Sequence, residues 1–157
     1  MKFEHLVQIN DPLDPGIRPM SRAQLWRGLV LRAEDPRQFI YALDNCNITY
    51  RGADFIEREL RFGSRDIHDR VSFQPMESTT YVVTPGPESP AGSLIIRIEE
   101  PSPGQLFLRF SYATQPAAAG QEATAEFTEI VEQAYFQADL DTVSRLRELL
   151  ESGQLVP

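Results

Sequence analysis

Two neighbouring stretches of alternating apolar and polar residues predict a β-hairpin in the middle of the chain. Residues 54–62 and 66–75 alternate on either side of Gly63-Ser64, a pair typical of a tight turn. The side chains on the apolar face are Ile56, Arg58, Leu60 and Phe62 in the first strand and Ile67, Asp69, Val71 and Phe73 in the second. Each apolar face therefore includes one charged residue, which requires either a buried partner or a wet cavity.

The same alternation recurs in five other segments and predicts an antiparallel sheet. The first of these segments lies at the N-terminus and is followed by a break rich in proline. The others lie with the hairpin between residues 46 and 113 and are separated by short turns. We therefore expect one N-terminal strand and six consecutive antiparallel strands. The five additional strands are predicted at residues 2–9, 46–51, 79–84, 93–100 and 104–113.

A helical period replaces the alternation in three places. After Met20, the spacing of Ser21 and Gln24 is that of a capping box, and an apolar stripe follows. Asp35-Pro36 ends this helix and predicts a second, short helix at about 36–42. A much longer helix is predicted from about 122 to 152. Its predicted apolar stripe consists of Phe127, Val131, Ala134, Ala138, Thr142, Leu146 and Leu149.

The order of these elements predicts an α+β fold in which a curved seven-stranded antiparallel sheet grips the long C-terminal helix. Such a sheet has one apolar face to cover, and only the terminal helix is long enough to cover it. The two short helices after the first strand can support one end of that helix. A curved sheet around a single helix leaves space between them, so the pattern also predicts an internal cavity.

This element order resembles the helix-grip fold of the SRPBCC superfamily, which includes birch-pollen-allergen-like proteins, START lipid-transfer domains and polyketide cyclase/aromatases. Four strings are similar to the branch labelled AtaL-like, namely LWRGLVLRAEDP, ERELRFG, DRVSFQP and IEEPSPGQLFLRFSY. The resemblance covers the whole chain and implies a single helix-grip (START-like) domain over residues 1–157. Because the superfamily includes carriers, hormone receptors, cyclases and chaperone regulators, the resemblance implies a fold more narrowly than an activity.

Composition and charge narrow the classes of partner. The chain has 157 residues, 41% of them hydrophobic, and a formal net charge of −8. Nucleic acid or an anionic membrane would bind against the overall field, and no apolar run approaches the ~20 residues of a membrane span. The N-terminal residues do not have the pattern of a secretory signal, and the single cysteine, Cys46, excludes an internal disulfide. We therefore expect a cytoplasmic protein that neither binds nucleic acid nor spans a membrane.

Arg58 and Asp69 form the first candidate site. Their positions relative to Gly63-Ser64 make them cross-strand neighbours or one diagonal apart, on the face that the long helix covers. One alternative is a structural ion pair that fixes the strand register, since either charge alone would be costly to bury. The other is a polar anchor for the head group of a ligand. A one-residue bulge would turn both side chains outward.

His5 is the second candidate because it lies on the apolar face of the first strand. It is either a hydrogen-bonded core histidine or, if it reaches the cavity near Asp69, an acid or base near neutral pH. His68 lies on the opposite face from Asp69 and is expected to be solvated. Two histidines on different faces and one cysteine predict no metal site, and we expect no cofactor.

Aromatic side chains complete the candidate site. Their spacing suits either plain core packing or the lining of a cavity. They are Trp26, Phe110, Tyr112, Phe127 and Tyr135.

Together these features predict a domain that binds a small hydrophobic or aromatic molecule through burial of apolar surface. His5, Arg58 and Asp69 would orient that molecule. Two alternatives remain open. One is an enzyme of the cyclase or aromatase type, which can work with a single acid/base group. The other is a protein-interaction module that uses an exposed sheet face or the proline-rich loop and binds no ligand.

Overall fold

Seven strands form in the part of the chain that the structure describes, and they pair in one antiparallel sheet, as predicted. The computed structural model describes residues 1–86, 89–114 and 125–156, apart from the side chains of residues 125 and 127. The spatial order is β1-β7-β6-β5-β4-β3-β2, so six strands form a meander and the first strand adds to the last. The strands are β1 (Lys2–Gln8), β2 (Asn45–Arg51), β3 (Phe55–Phe62), β4 (Arg65–Gln74), β5 (Ser78–Val83), β6 (Gly92–Ser102) and β7 (Gln105–Thr114).

The turn between β3 and β4 fixes the register of the central hairpin. Phe62 pairs with Arg65, which leaves a two-residue loop, and Gly63 has a φ of 61°, in the left-handed region that glycine adopts without strain. This register places Arg58 directly opposite Asp69 on the inner face of the sheet. No register shift interrupts the pairing of β3 with β4, so both side chains point inward.

The first helix, α1 (Arg22–Glu34), begins with the predicted capping box. The Ser21 hydroxyl accepts from the Gln24 N–H at 3.0 Å, and the Gln24 side chain accepts from the Ser21 N–H at 2.9 Å. The prediction of a second helix over 36–42 is wrong beyond its first turn, because only a 3-10 turn (Pro36–Gln38) forms. Asp35 caps this turn with no side-chain hydrogen bond to the backbone. Isolated helical turns without such support do not propagate.

The last helix, α2 (Ala125–Glu151), has 27 residues and a length of about 40 Å, enough to cross the sheet. The predicted start at 122 lies outside the described residues. The predicted stripe is wrong in its middle, since Ala134 and Ala138 are exposed and Asp139 is buried. The spacing of residues along a helix determines which of them share a face, whatever their polarity. Asp139 lies on the same face as Thr142 and Leu146 and is therefore buried with them. Among the described side chains of α2, the buried ones are Asp139, Thr142, Leu146, Leu149 and Leu150.

The two helices pack tightly against each other at Gly28. A Cβ atom at Gly28 would lie 2.2 Å from the Cδ2 atom of Leu146, so only glycine permits this approach without displacing Leu146. Leu25 and Leu29 on α1 and Leu146 and Leu149 on α2 are fully buried in the same core. This contact joins the C-terminal half of α2 (residues 140–151) to α1. No helix among the described residues is long and apolar enough to cross a membrane.

Candidate functional site

A hydrogen-bonded network of three side chains joins β1, β7 and the N-terminal half of α2 (residues 126–139). His5 Nδ1 lies 2.7 Å from Asp139 Oδ2, and the Tyr112 hydroxyl donates to Asp139 Oδ1. All three side chains are buried, with Asp139 only 1% exposed. The carboxyl group is therefore held on both oxygens inside the protein.

The sheet register brings His5 and Tyr112 together. Phe3 pairs with Tyr112 and His5 pairs with Phe110, so the side chains of β1 and β7 alternate along one face below α2. The ring of Tyr135 stacks on that of Tyr112 with centroids 4.3 Å apart and planes at 18°. The ring of Phe136 meets His5 edge-on at 5.1 Å. Aromatic rings thus enclose the network on its α2 side.

Burial changes the acid–base behaviour of this network. Removal from water raises the pKa of Asp139, although the hydrogen bonds from Tyr112 and His5 act in the opposite direction. Burial and the hydrogen bond to Asp139 raise the pKa of Tyr112, so its hydroxyl stays protonated and remains a donor. Nε2 of His5 makes no hydrogen bond within the described residues. When His5 is neutral and donates from Nδ1, Nε2 carries a lone pair that can accept a proton.

Arg58 and Asp69 form a closed ion pair on the other side of the interior. Nε and Nη2 of Arg58 donate to the two carboxylate oxygens of Asp69 at 2.8 and 2.6 Å, and Nη1 donates to the carbonyl of Ala33 at 2.9 Å. Burial would lower the pKa of Arg58, but the hydrogen bonds and charge of Asp69 more than offset it and hold that pKa above its ordinary value. Each guanidinium nitrogen therefore has a protein acceptor, and the pair also attaches the end of α1 to the sheet.

A second buried arginine, Arg32 on α1, has a positive charge that acts to lower the pKa of Asp139 and of Tyr112 in the network. Its guanidinium carbon is 5.1 Å from the ring centre of Tyr81 on β5, and that of Arg58 is 5.3 Å from the same centre. Nε of Arg32 donates to the Thr142 hydroxyl at 3.3 Å. Among the described residues, the Tyr81 hydroxyl and Thr79 Oγ1 are buried with no hydrogen-bond partner. The interior is thus polar at several points on its inner surface.

The structure brings together some of the predicted site residues and separates others. His5, Phe110, Tyr112 and Tyr135 cluster at β1, β7 and α2, whereas His5 bonds Asp139 rather than approaching Asp69. Trp26 lies on α1, half-buried, with its ring edge-on to Phe73 at 6.4 Å. The prediction for Phe127 falls on a side chain outside the described residues. His68 is exposed, as expected, and Arg58 pairs with Asp69.

Three site residues escaped sequence reasoning, although a signal existed for each. Arg32 follows Leu25 and Leu29 at the spacing of one buried helical face. Asp139 lies four residues after Tyr135 and three before Thr142, again on one face. Tyr81 alternates with Thr79 on the inner face of β5. In each case, a polar residue on an otherwise buried face could have indicated a site residue.

Two open depressions formed by described residues lie away from this interior. One, of about 280 Å³, is lined mainly by outward-facing side chains of β1, β6 and β7. The other, of about 420 Å³, lies at the end of the sheet beside Pro85 and Ala91. Neither is the internal cavity expected between the sheet and α2. That expectation stays a prediction, because residues 115–124, which join β7 to α2, lie outside the described residues.

Several solved structures of low sequence identity share this fold. Ara h 8.0201 matches with a TM-score of 0.64 and 12% identity over 93% of this chain and 97% of its own. The Zhui aromatase/cyclase from Streptomyces sp. R1128 matches with a TM-score of 0.62 and 17% identity over 96% of this chain and 93% of its own. The di-domain ARO/CYC StfQ from the steffimycin biosynthetic pathway matches with a TM-score of 0.67 and 10% identity over 99% of this chain and 52% of its own.

At these identities the structural likeness establishes the helix-grip fold and nothing finer. No curated protein matches the sequence. The family model described as acetylaranotin biosynthesis cluster protein L matches residues 7–153, which is most of the chain. With that match and a seven-stranded sheet closed by a long helix, the chain belongs to the AtaL family.

Proposed function

We propose that this protein, acting as one domain, binds a small hydrophobic or aromatic molecule between the inner face of the sheet and the N-terminal half of α2. The observation that carries the proposal is the aromatic cluster of Phe3, Tyr112, Tyr135 and Phe136, which surrounds the buried polar network. Flat apolar ligands bind to such surfaces through area burial and ring stacking. The polar network would then orient the ligand.

Looser packing of this half of α2 supports the same proposal. Val131 is only half-buried, although it lies on the same helical face as the fully buried Leu149, and Phe136 is 38% exposed. Tyr135 is half-buried, and burial raises the pKa of its hydroxyl. Side chains that are only partly packed in the free protein can be covered further by a ligand, which gains affinity from the apolar area removed from water.

The similar structures agree with a ligand of this class. Two of the proteins that share the fold are described as aromatase/cyclases, one of them from a steffimycin biosynthetic pathway. Those names describe the formation of aromatic or cyclic molecules. An aromatic or ring-forming small molecule is therefore the first class to test with this chain.

A neutral fluorescent probe, N-phenyl-1-naphthylamine, tests the proposal directly. We expect saturable binding to the wild-type protein and a loss of about threefold to tenfold in affinity for Tyr135→Ala, because a stacking partner is removed. Tyr50→Ala is the matched control, since Tyr50 stacks on Phe55 at 5.7 Å on the outer side of the sheet. Absence of saturable binding, or equal losses in the two variants, would contradict the proposal.

Acid–base catalysis on the bound molecule is the second candidate function. The hydrogen bond between His5 Nδ1 and Asp139 favours it, because a buried carboxyl group holds the imidazole in one orientation and leaves Nε2 as the reactive nitrogen. Such a histidine could remove a proton next to a carbonyl group, as ring-forming reactions of poly-carbonyl chains require. His5→Gln should abolish turnover of such a substrate and leave probe binding within about twofold. Unchanged turnover in His5→Gln would exclude this role.

A further inference from the structure

We propose that the interior binds an acidic oxygen of its ligand, a carboxylate, phenolate or enolate, at a subsite formed by Arg32, Tyr81 and Thr79. This inference rests on the proposed binding function and specifies its ligand class. Thr79 and Tyr81 alternate on the inner face of β5, so both side chains point toward the helices. Arg32 reaches the same region from α1, with its guanidinium over the Tyr81 ring.

The charges of the interior leave Arg32 without a salt bridge among the described residues, although its charge acts to lower the pKa of Asp139. Arg58 and Asp69 neutralise each other in a bidentate pair. The two oxygens of Asp139 are taken by His5 and Tyr112, and no salt bridge within 4.0 Å joins Asp139 to Arg32. Within the described residues, the contacts of Arg32 are the neutral Thr142 hydroxyl and the face of Tyr81.

A buried guanidinium in this position favours an anion. Arg32 is 8% exposed, and arginine keeps its charge at any pH at which proteins are folded. Its one hydrogen bond to a described residue uses Nε and leaves the Nη groups, which form the fork that binds carboxylate oxygens. A ligand oxygen with negative charge would pair directly with these Nη groups.

Two unpaired hydroxyl groups indicate a ligand independently of Arg32. The Tyr81 hydroxyl and Thr79 Oγ1 are both buried, and neither has a hydrogen-bond partner among the residues that the structure describes. Residue Thr79 is 0% exposed and Tyr81 is 7% exposed. Buried hydroxyls that lack a partner destabilise the free protein and are rare in folded proteins. Both can donate to an oxygen acceptor, which is the same chemistry that Arg32 favours.

A pair of nearly isosteric probes separates this inference from the proposed function. Naphthalene-2-carboxylate and naphthalene-2-carboxamide share ring and shape and differ in charge at pH 7. We expect calorimetric titration to show at least about tenfold tighter binding of the carboxylate, as a charge-assisted hydrogen bond provides. Equal affinity for the two probes would overturn the acidic-oxygen subsite and leave the proposed function intact. Failure of both probes to bind would contradict both proposals.

Variants assign the preference to particular atoms. Arg32→Met and Tyr81→Phe should each reduce the preference for the carboxylate about tenfold while the affinity for the amide changes less than about twofold. Arg27→Met is the matched control, because Arg27 is an exposed arginine on the same helix.

Tyr81→Phe also keeps the test valid if Arg32→Met fails to fold. Because the Tyr81 hydroxyl has no partner to lose, the variant should unfold at the same temperature as the wild type or at a higher one. A lowered unfolding temperature together with an unchanged carboxylate preference would overturn the assignment of Tyr81 to this subsite.

Discussion

The two halves of α2 differ sharply, although one helix contains both and one sheet supports both. In the C-terminal half, Leu146 and Leu149 are fully buried, and Gly28 lets α1 approach as closely as side chains allow. In the N-terminal half, Val131 and Tyr135 on the same face are only half-buried, and Asp139 is the one fully buried residue among the described side chains. The C-terminal half is packed by aliphatic contacts, and the N-terminal half is held by polar and aromatic contacts.

This difference separates stability from binding within one element. Aliphatic side chains in a close-packed core contribute most of the free energy of folding and leave no room for a ligand. Buried polar groups contribute less and demand partners, but they can select a ligand. The anchored end therefore consists of α1, the C-terminal half of α2 and the Arg58–Asp69 pair, and we place the binding end under the N-terminal half. Four predictions test this division.

The largest expected loss of stability comes from breaking the Arg58–Asp69 pair. Arg58→Met or Asp69→Asn alone leaves a buried group without its partner and should lower the free energy of unfolding by about 3–5 kcal/mol. The double variant Arg58→Met/Asp69→Leu should recover much of that loss, because no uncompensated charge remains. Chemical denaturation of all three variants measures this. Mild effects in the single variants with lost ligand binding would instead move the pair to the binding end.

Matched truncations in the two halves of α2 come next. Leu146→Ala removes a fully buried side chain and should cost about 2–5 kcal/mol, whereas Val131→Ala, at a half-buried position on the same face, should cost about 1 kcal/mol or less. Both substitutions shorten an aliphatic side chain on the same helix, so helix propensity changes little between them. Comparable losses at the two positions would show that the halves are equally packed.

Asp139→Asn tests whether the binding end is held by its polar network. The amide can no longer accept from both His5 and Tyr112, and we expect a loss of about 1–3 kcal/mol. Because the pKa of Asp139 is raised in the folded protein, the wild-type carboxyl contributes stability at low pH that is lost as pH rises through that raised value. Denaturation of the variant across acidic pH should lack this component. An identical pH profile in both proteins would contradict the network.

The smallest effect is expected for Tyr112→Phe, and it depends on pH. The pKa of Tyr112 is raised in the folded protein, so above about pH 10 the unfolded chain loses a proton that the folded protein keeps. Wild-type stability should therefore fall with rising alkaline pH, and the variant should fall less steeply while losing about 1 kcal/mol near neutrality. Tyr41→Phe, at a fully exposed position, is the control and should reproduce the wild-type slope. Parallel slopes for Tyr112→Phe and wild type would contradict a buried hydroxyl.

Sequence periodicity predicted the strands and placed Arg58 and Asp69 within one cross-strand position of each other, because alternation and a two-residue turn determine register locally. It did not predict the partner of His5. The Asp139 carboxyl comes from an element more than a hundred residues away, and no local pattern records that contact. Preference for apolar residues also favoured Ala138 over Asp139, although the buried face passes through the aspartate. Local sequence patterns do not predict sites whose residues come from elements far apart in the chain.

The attachment of β1 to β7 has a consequence for the order in which the molecule folds. Strands β2 to β7 form a meander of hairpins that can pair as each strand emerges, whereas β1 must wait until nearly the whole sheet exists before it can join its partner. His5, Tyr112 and Asp139 belong to β1, β7 and α2, the elements that this late closure assembles. We therefore expect the binding end to acquire its native contacts last. A chain still being synthesised would have a formed meander before it had a binding site.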